Sequence, residues 1–373
     1  MHLSKLALIN FKNYPQAELL FSSGVNCFVG HNGAGKTNLL DAIHYLSMCK
    51  SYFNAIDSLN IQHGKDFFII QGIFHKNDAE DNVYCGFKKN EKKQFKLNQK
   101  EYSKLASHIG LFPVVMISPL DSTLVTEGSE ERRKLVDSII SQYDKPYLED
   151  LISYNKALLQ RNALLKHFAQ QHKFDRHALE IWDTQMVELG TRIHEKRKIF
   201  IAEYIPIVTH YYSFISGGKE DVSVNYISQL NSTPFADLMI KALDKDRAVQ
   251  YTTQGIHKDD LIFNIGNYPV KKFGSQGQQK SFLTALKLAQ FDFIRKVTGL
   301  LPILLLDDIF DKLDNERTGK LMTLVSKHNF GQIFITDTHP ARIREIFEGI
   351  GEEIRLFRVE NGAVTTLEHE KVQ

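Results

Sequence analysis

Apolar and polar positions alternate through the first part of the chain. LALINF at 6–11, VNCFV at 25–29, FFIIQGIF at 67–74, NVYCGFK at 82–88, KQFKLN at 93–98 and PVVMIS at 113–118 each predict a strand. The exception is the segment after residue 37, where Leu39, Ile43 and Leu46 recur at helical spacing. From about 129 to 213 the period lengthens, with Leu151, Tyr154, Leu158 and Leu165 along one helix face and glycine scarce until Gly217 and Gly218. The last third alternates again: a helix from Ser275 with an apolar face of Phe282, Leu286, Ala289, Phe293 and Val297, the run ILLL at 303–306, a helix near 316–328, the strand QIFIT at 332–336, and a hairpin through IRLFRVENGAVTTL at 354–367. The pattern predicts an α/β head made from both ends of the chain and interrupted by a mostly helical insertion, with divisions at 1–120, 121–250 and 251–373.

Composition constrains partners more than fold. Forty-six lysines and arginines stand against 44 aspartates and glutamates, a net charge of +2, so any nucleic-acid surface must come from local clustering. Three widely spaced cysteines, Cys27, Cys49 and Cys85, form no CxxC pair and argue against a disulfide framework or zinc site, as expected of a cytoplasmic protein. The start of the chain lacks the apolar core of a secretion signal, and no stretch approaches the roughly 18 unbroken apolar residues of a membrane span.

Three segments carry chemistry. In GHNGAGKT at 30–37, glycines permit a turn whose backbone N–H groups, from Gly30, His31, Asn32, Gly33, Ala34 and Gly35 into Asn38, surround phosphate oxygens at a helix N-terminus. Lys36 would neutralise the terminal phosphates of ATP, and the Thr37 hydroxyl would ligate Mg²⁺. The run ILLL ends in Asp307 and Asp308, suited to hold that metal and to orient or deprotonate the attacking water, respectively. In GSQGQ at 274–278, Ser275 and Gln278 form a capping box. Placed just before the acidic strand, Ser275, Gly277 and Gln278 are also similar to the signature of ABC-type ATPases, the cap being how such a signature is built. Asp311 and Asp314 then stand where those ATPases carry the D-loop. Thr336 and Asp337 are candidates for the γ-phosphate switch, Thr336 preferred; His339 is a weaker one that an exposed loop histidine explains equally well.

With these segments placed, the chain resembles, nearly end to end, the RecF family of SMC/Rad50-like ABC ATPases. The resemblance rests on NFKNY at 10–14, GHNGAGKTNLLDAI at 30–43, CKSYF at 49–53, SPLDSTLVTEGSEERRKLVD at 118–137, GIHKDDLIF at 255–263 and GSQGQQKSFLTALKLAQ at 274–290. Long coiled-coil arms need hundreds of heptad residues, and the insertion is too short for them. The resemblance implies that Lys12 and Asn13 join the nucleotide site, and that two heads close around ATP with Ser275 of one facing the γ-phosphate bound by the other. It further implies slow, DNA-stimulated hydrolysis, binding to DNA gaps or junctions, and work with RecR and RecO to load RecA. The loop equivalent to the transporter glutamine loop reads SPLD at 118–121, making Asp121 a candidate metal-side contact. Phe53 stands where many of the family have arginine, a role left for Lys50; Lys258 keeps the basic residue before Asp259 and Asp260.

Candidate DNA contacts are Arg132, Arg133 and Lys134, then Lys196, Arg197 and Lys198, and the hairpin lysines Lys88, Lys89, Lys92 and Lys93, which would neutralise phosphates without reading sequence. Each cluster also reads as a solvated charged face. A transporter ATPase subunit and an ATP-binding scaffold without turnover are the two alternatives.

Overall fold

The computed structural model describes residues 1–309, 319–320, 330–341, 353–367 and 370–371. They divide into two compact units: Met1–Asp121 with Phe214–Gly217 and Lys280–Gln373, and Ser122–Ser213 with Gly218–Gln279. The expected division at 250/251 thus falls inside the second unit, and the structure divides at 279/280. The reason is strand pairing, since Asp260–Ile265 is antiparallel to Val222–Ile227 on one side and to Tyr268–Pro269 on the other.

In the first unit, Val25–Val29 is flanked in parallel by Ile333–Asp337 and Glu353–Glu360, and the sheet continues through Ile303–Leu306 to Val114–Ile117. All residues of VNCFV and ILLL are buried, which explains why ILLL is apolar throughout and why Asn26, the polar residue of VNCFV, bonds the Ser22 backbone. Register fixes the functional edge: Val29 pairs with Asp337 and Leu306 with Ile335, so the chain leaves both strands at the carboxyl edge of the sheet. A second, antiparallel sheet runs in the order Tyr14–Leu20, His2–Phe11, Phe67–Lys76, Ala79–Lys88, Gln94–Leu97, Lys100–Glu101. The helix Lys36–Met48 contacts strands of both sheets, and Leu39, Leu40, Ile43 and Leu46 have no exposure. Phe21, Phe28, Phe334 and Phe357 pack together with ring centroids 4.8 to 6.1 Å apart. The Gln332 amide exchanges 2.7 Å hydrogen bonds with the N–H and C=O of Leu3, tying chain segments 329 residues apart.

The second unit is mainly helical. Ser129–Ser141 leads to Lys145–Gln171, whose start is fixed by Asp144 accepting from the Tyr147 N–H and by a proline in its first turn. That helix runs antiparallel to Arg176–Ser216, as the ion pairs Lys196–Asp144, Arg192–Asp150 and Arg161–Asp183 require. Arg161 is fully buried and also bonds Asp246, in Phe235–Val249, and Thr252, so its charge is matched by two carboxylates and a hydroxyl. Among the described residues no helix is long and apolar enough to cross a membrane. The expected helix near 316–328 lies outside the described residues, apart from Gly319 and Lys320.

Candidate nucleotide site

The loop at 30–35 starts where Val29 ends and delivers the chain into the helix Lys36–Met48. Its glycines do different work. A Cβ on Gly30 would lie 2.2 Å from the Val359 carbonyl oxygen, so here the neighbouring strand excludes a side chain. Gly35 has φ +114°, and its Cβ would meet the Asn13 amide at 2.3 Å, whereas Gly33 has φ +81° with open space around it. Lys36 is buried, and its ammonium donates to the carbonyls of Gly30 and His31 at 2.8 and 3.0 Å, curled inside the loop. His31, Asn32 and Gly33 are exposed.

Asparagines brace the back of the loop. Asn38 Nδ2 donates to Asn13 Oδ1 at 2.7 Å, Asn13 Nδ2 donates to the Ala34 carbonyl at 2.9 Å, and the Tyr14 hydroxyl donates to the Gly35 carbonyl at 3.0 Å. Asn13 and Asn38 are thereby brought to the loop. Lys12 is not: its ammonium lies 2.5 Å from Asp41, a carboxylate with no exposure that also accepts from Ser51 Oγ and the Tyr52 N–H, both at 2.7 Å. Phe53 covers this lysine, with the ammonium 5.2 Å from the ring centroid. Phe53 thus shields a buried cation.

The acidic strand end meets the loop's helix. Thr37 Oγ1 donates to Asp307 Oδ1 at 2.8 Å, and Thr336 Oγ1 donates to the same oxygen at 2.9 Å. Thr336 also accepts the Asp308 N–H at 2.9 Å, so one buried hydroxyl joins the two aspartates. Asp308 has φ +44°, an unusual conformation for a residue other than glycine, and the Thr336 bond holds it there. Burial pushes the Asp307 carboxyl above the ordinary range and the neighbouring Asp308 adds to this, while the hydroxyls of Thr37 and Thr336 and the charge of Lys36 oppose it. Asp337 is buried and accepts the His339 N–H at 2.7 Å; its carbonyl accepts from Gly30 N–H at 3.3 Å. His339 is exposed. Asp311 and Asp314 lie outside the described residues.

Asp121, expected as a metal-side contact, is instead locked in a buried ion pair with Lys287 at 2.8 Å. It accepts the Tyr52 hydroxyl and, at 2.8 Å, the Ser118 N–H. Its charge is already matched, and the tyrosine that binds it follows Ser51, the partner of Asp41.

At the signature segment, the capping box forms as the spacing predicts: Ser275 N–H donates to Gln278 Oε1 at 2.7 Å and Gln278 N–H to Ser275 Oγ at 3.2 Å, opening the helix Gln276–Thr298. Ser275 is exposed and Gly277 half-buried. Phe282, Leu286, Ala289 and Phe293 are buried as the periodicity requires, whereas Val297 in the last turn is 45% exposed.

The basic clusters separate into two kinds. Arg197 is buried and bonds Asp137, Asp259, the Tyr147 hydroxyl and the Ile256 carbonyl, so it cannot reach a DNA phosphate. Arg132 is likewise committed, bidentate to Asp260 at 2.7 and 3.1 Å, and Arg133 donates to Ser129 Oγ and the Asp259 carbonyl. These arginines and the two aspartates of GIHKDD are one structural network, which corrects the expectation that Arg132 and Arg197 face DNA. Lys134, Lys196 and Lys198 are about half exposed and pair with surface carboxylates, leaving them accessible. Of the hairpin lysines, Lys93 is committed to Asp57 and the Cys49 carbonyl, Lys88 and Lys89 pair at the surface with Glu91 and Asp66, and Lys92 is exposed.

Known proteins match this chain along nearly its full length. The RecF/RecN/SMC N terminal domain family matches residues 2–365. The DNA replication and repair protein RecF of Flavobacterium johnsoniae is 51% identical over 359 residues, spanning 96% of this chain and 100% of its own. The protein of the same name from Bacteroides fragilis is 48% identical over 372 residues, spanning 100% of both. A solved structure of the recombination mediator protein RecF with ATP, from the RecFOR pathway, aligns with a TM-score of 0.89 at 30% identity over 98% of this chain and 97% of that one. The Smc head domain of Pyrococcus furiosus, 16% identical with a TM-score of 0.56 over 98% of this chain and 96% of that one, shares the fold. Glycine loop, acid pair and capped signature helix sit on a chain matched from end to end, and that chain belongs to the RecF family of DNA replication and repair proteins, SMC-type ATPases without a long coiled coil.

Proposed function

We propose that the chain binds ATP with Mg²⁺ and closes as a homodimer on DNA, hydrolysing ATP slowly to release it. The observation that carries the nucleotide site is the double hydrogen bond onto Asp307 Oδ1, which joins the loop helix, the acidic strand and the strand carrying Thr336 in one cluster. Thr37 Oγ1 and Asp307 Oδ1, 2.8 Å apart, are two hard oxygens that suit Mg²⁺, an ion that takes its other positions from water and phosphate. Bound there, Mg²⁺ would neutralise phosphate charge. Lys36 holds the terminal phosphates, the loop amides cradle them, and Asp308 orients the attacking water. Thr336 acts on this chemistry through Asp307 and Asp308, the two groups that its hydroxyl touches. Two head units facing each other would place Ser275 of one against the γ-phosphate of the other, so ATP favours the dimer and ADP does not.

The wider role follows the family: binding of double-stranded, gapped and junction DNA without sequence preference, in the cytoplasm on the nucleoid, and cooperation with RecR and RecO in loading RecA. Lys134, Lys196 and Lys198 are the accessible cations that support backbone contact. The test is sedimentation and DNA binding with ATP or ADP, on gapped and fully duplex DNA at fixed salt. An ATP-dependent dimer that prefers gapped DNA, lost in Lys36→Ala and Ser275→Arg, is expected. An ATP-independent monomer, or hydrolysis stimulated by a membrane partner and not by DNA, would overturn the proposal.

A further inference from the structure

We infer that Glu220 is a positioning residue for the signature serine. The helix Arg176–Ser216 ends in Gly217 and Gly218, with φ +73° and +71°, and the Gly218 N–H closes back on the Ser213 carbonyl at 2.8 Å. This tight exit brings Glu220 back beside its own helix. One carboxylate oxygen, Oε2, accepts the hydroxyl of Tyr212, a side chain with no exposure; the other, Oε1, accepts Gln278 Nε2 at 2.9 Å. The other end of the same amide, Gln278 Oε1, accepts the Ser275 N–H at 2.7 Å.

The chemistry gives this chain of bonds a direction. An ionised carboxylate only accepts, so Glu220 captures the NH₂ end of the amide and turns its carbonyl end toward the serine. A glutamine with no such neighbour would have the Ser275 N–H alone to orient it. Anchored on a buried tyrosine, Glu220 therefore fixes the rotamer of the capping glutamine, and the cap fixes Ser275. The serine Oγ accepts from the Gln278 N–H, which leaves its O–H able to donate to a phosphate oxygen. Glu220 lies 55 positions before Ser275 and outside every segment that suggested function in the sequence.

This role rests on the proposal that Ser275 contacts the γ-phosphate held by a second copy. A swap tests it in the full-length protein. Gln278→Glu sets two carboxylates against each other where a hydrogen bond stood. Adding Glu220→Gln restores complementarity with the polarity reversed, because the carboxylate introduced by Gln278→Glu remains a good cap acceptor for the Ser275 N–H. We expect Gln278→Glu to weaken ATP-dependent dimerisation about tenfold, the loss of one charge-assisted hydrogen bond, and to lower kcat with KM for ATP within about twofold. The double swap should return to within about threefold of the parent. Single-variant dimerisation equal to the parent, or a double swap no better than the single, refutes the role of Glu220. A purely structural role would lower the melting temperature without this split between kcat and KM. Ser275→Ala separates the premise: if it dimerises normally with ATP, the serine proposal fails; if it loses the dimer while Gln278→Glu keeps it, only the Glu220 inference fails.

Discussion

Replacing Thr336 with valine removes one hydroxyl that serves both aspartates. Two hydrogen bonds disappear: the donation to Asp307, a charge-assisted bond of about 1.5–3 kcal/mol, and the acceptance from the Asp308 N–H, whose loss costs about 1–3 kcal/mol. Relaxation opposes this, because Asp308 could leave its φ of +44° and recover about 1–3 kcal/mol of backbone strain. The net loss of folding stability should be about 2 kcal/mol, measured by denaturant unfolding. Hydrolysis should suffer more, since the relaxed backbone carries the Asp308 carboxylate off the line of attack; a roughly 100-fold fall in kcat corresponds to about 2.7 kcal/mol. Nucleotide affinity, set by Lys36 and the loop amides, should stay within about threefold, as measured by equilibrium titration with a fluorescent ATP analogue. Thr336→Ser retains the hydroxyl and should recover most of the rate. Normal hydrolysis in Thr336→Val, or nucleotide binding lost as steeply as hydrolysis, refutes this account of the acid pair.

Alanine at the loop glycines should be worst at Gly30 and Gly35, where a Cβ meets Val359 backbone or Asn13, and mildest at Gly33, at about 1 kcal/mol; nucleotide titration on the three variants checks the order. Arg197→Ala should destabilise the second unit by about 3–5 kcal/mol by stranding Asp137 and Asp259, seen as an early thermal transition. Lys134→Ala with Lys198→Ala should leave melting unchanged and reduce the salt dependence of DNA binding. Burial pushes His44, His108 and His257 down to about 4, so they are neutral in the folded protein and the unfolded chain binds protons first as pH falls. Their contribution is present above pH 6.5 and lost toward pH 4, steepening acid unfolding by up to about 4 kcal/mol per pH unit; a stability profile flat through that window contradicts it.

Local, periodic signals made the loop, the acidic strand and most helices legible, because each is written in consecutive residues. The arginines were harder. Lys196, Arg197 and Lys198 read as one basic cluster, yet successive helix positions point about 100° apart, and only the flanking lysines face solvent. Arg197 falls on the buried stripe of Met186, Leu189, Ile193, Phe200 and Tyr204, at spacings of three and four, so the signal was present. Arg161 interrupts the stripe of Tyr154, Ala157 and Leu165 in the same way. Their aspartate partners lie 22 to 85 residues away, beyond what local pattern can connect. The strand Val222–Ile227 carries the right alternation but stood in a region dominated by helical period. The backbone of Asp308, and the turn of Lys12 onto Asp41, follow from tertiary contacts and leave no trace in spacing.

The order of strands in the main sheet governs when this protein can begin to work. Val25–Val29 leaves the ribosome long before its neighbours on both sides, Ile333–Asp337 and Glu353–Glu360. Until they arrive, an apolar strand and the phosphate loop behind it have no sheet to join, while Ser122–Ser213 with Gly218–Gln279 can already fold around its own core. Closing so long a gap adds little equilibrium penalty, because loop entropy grows only with the logarithm of length, but it delays the slowest contacts to the end. A chain cut before residue 333 therefore leaves the loop at 30–35 without the strands that flank it.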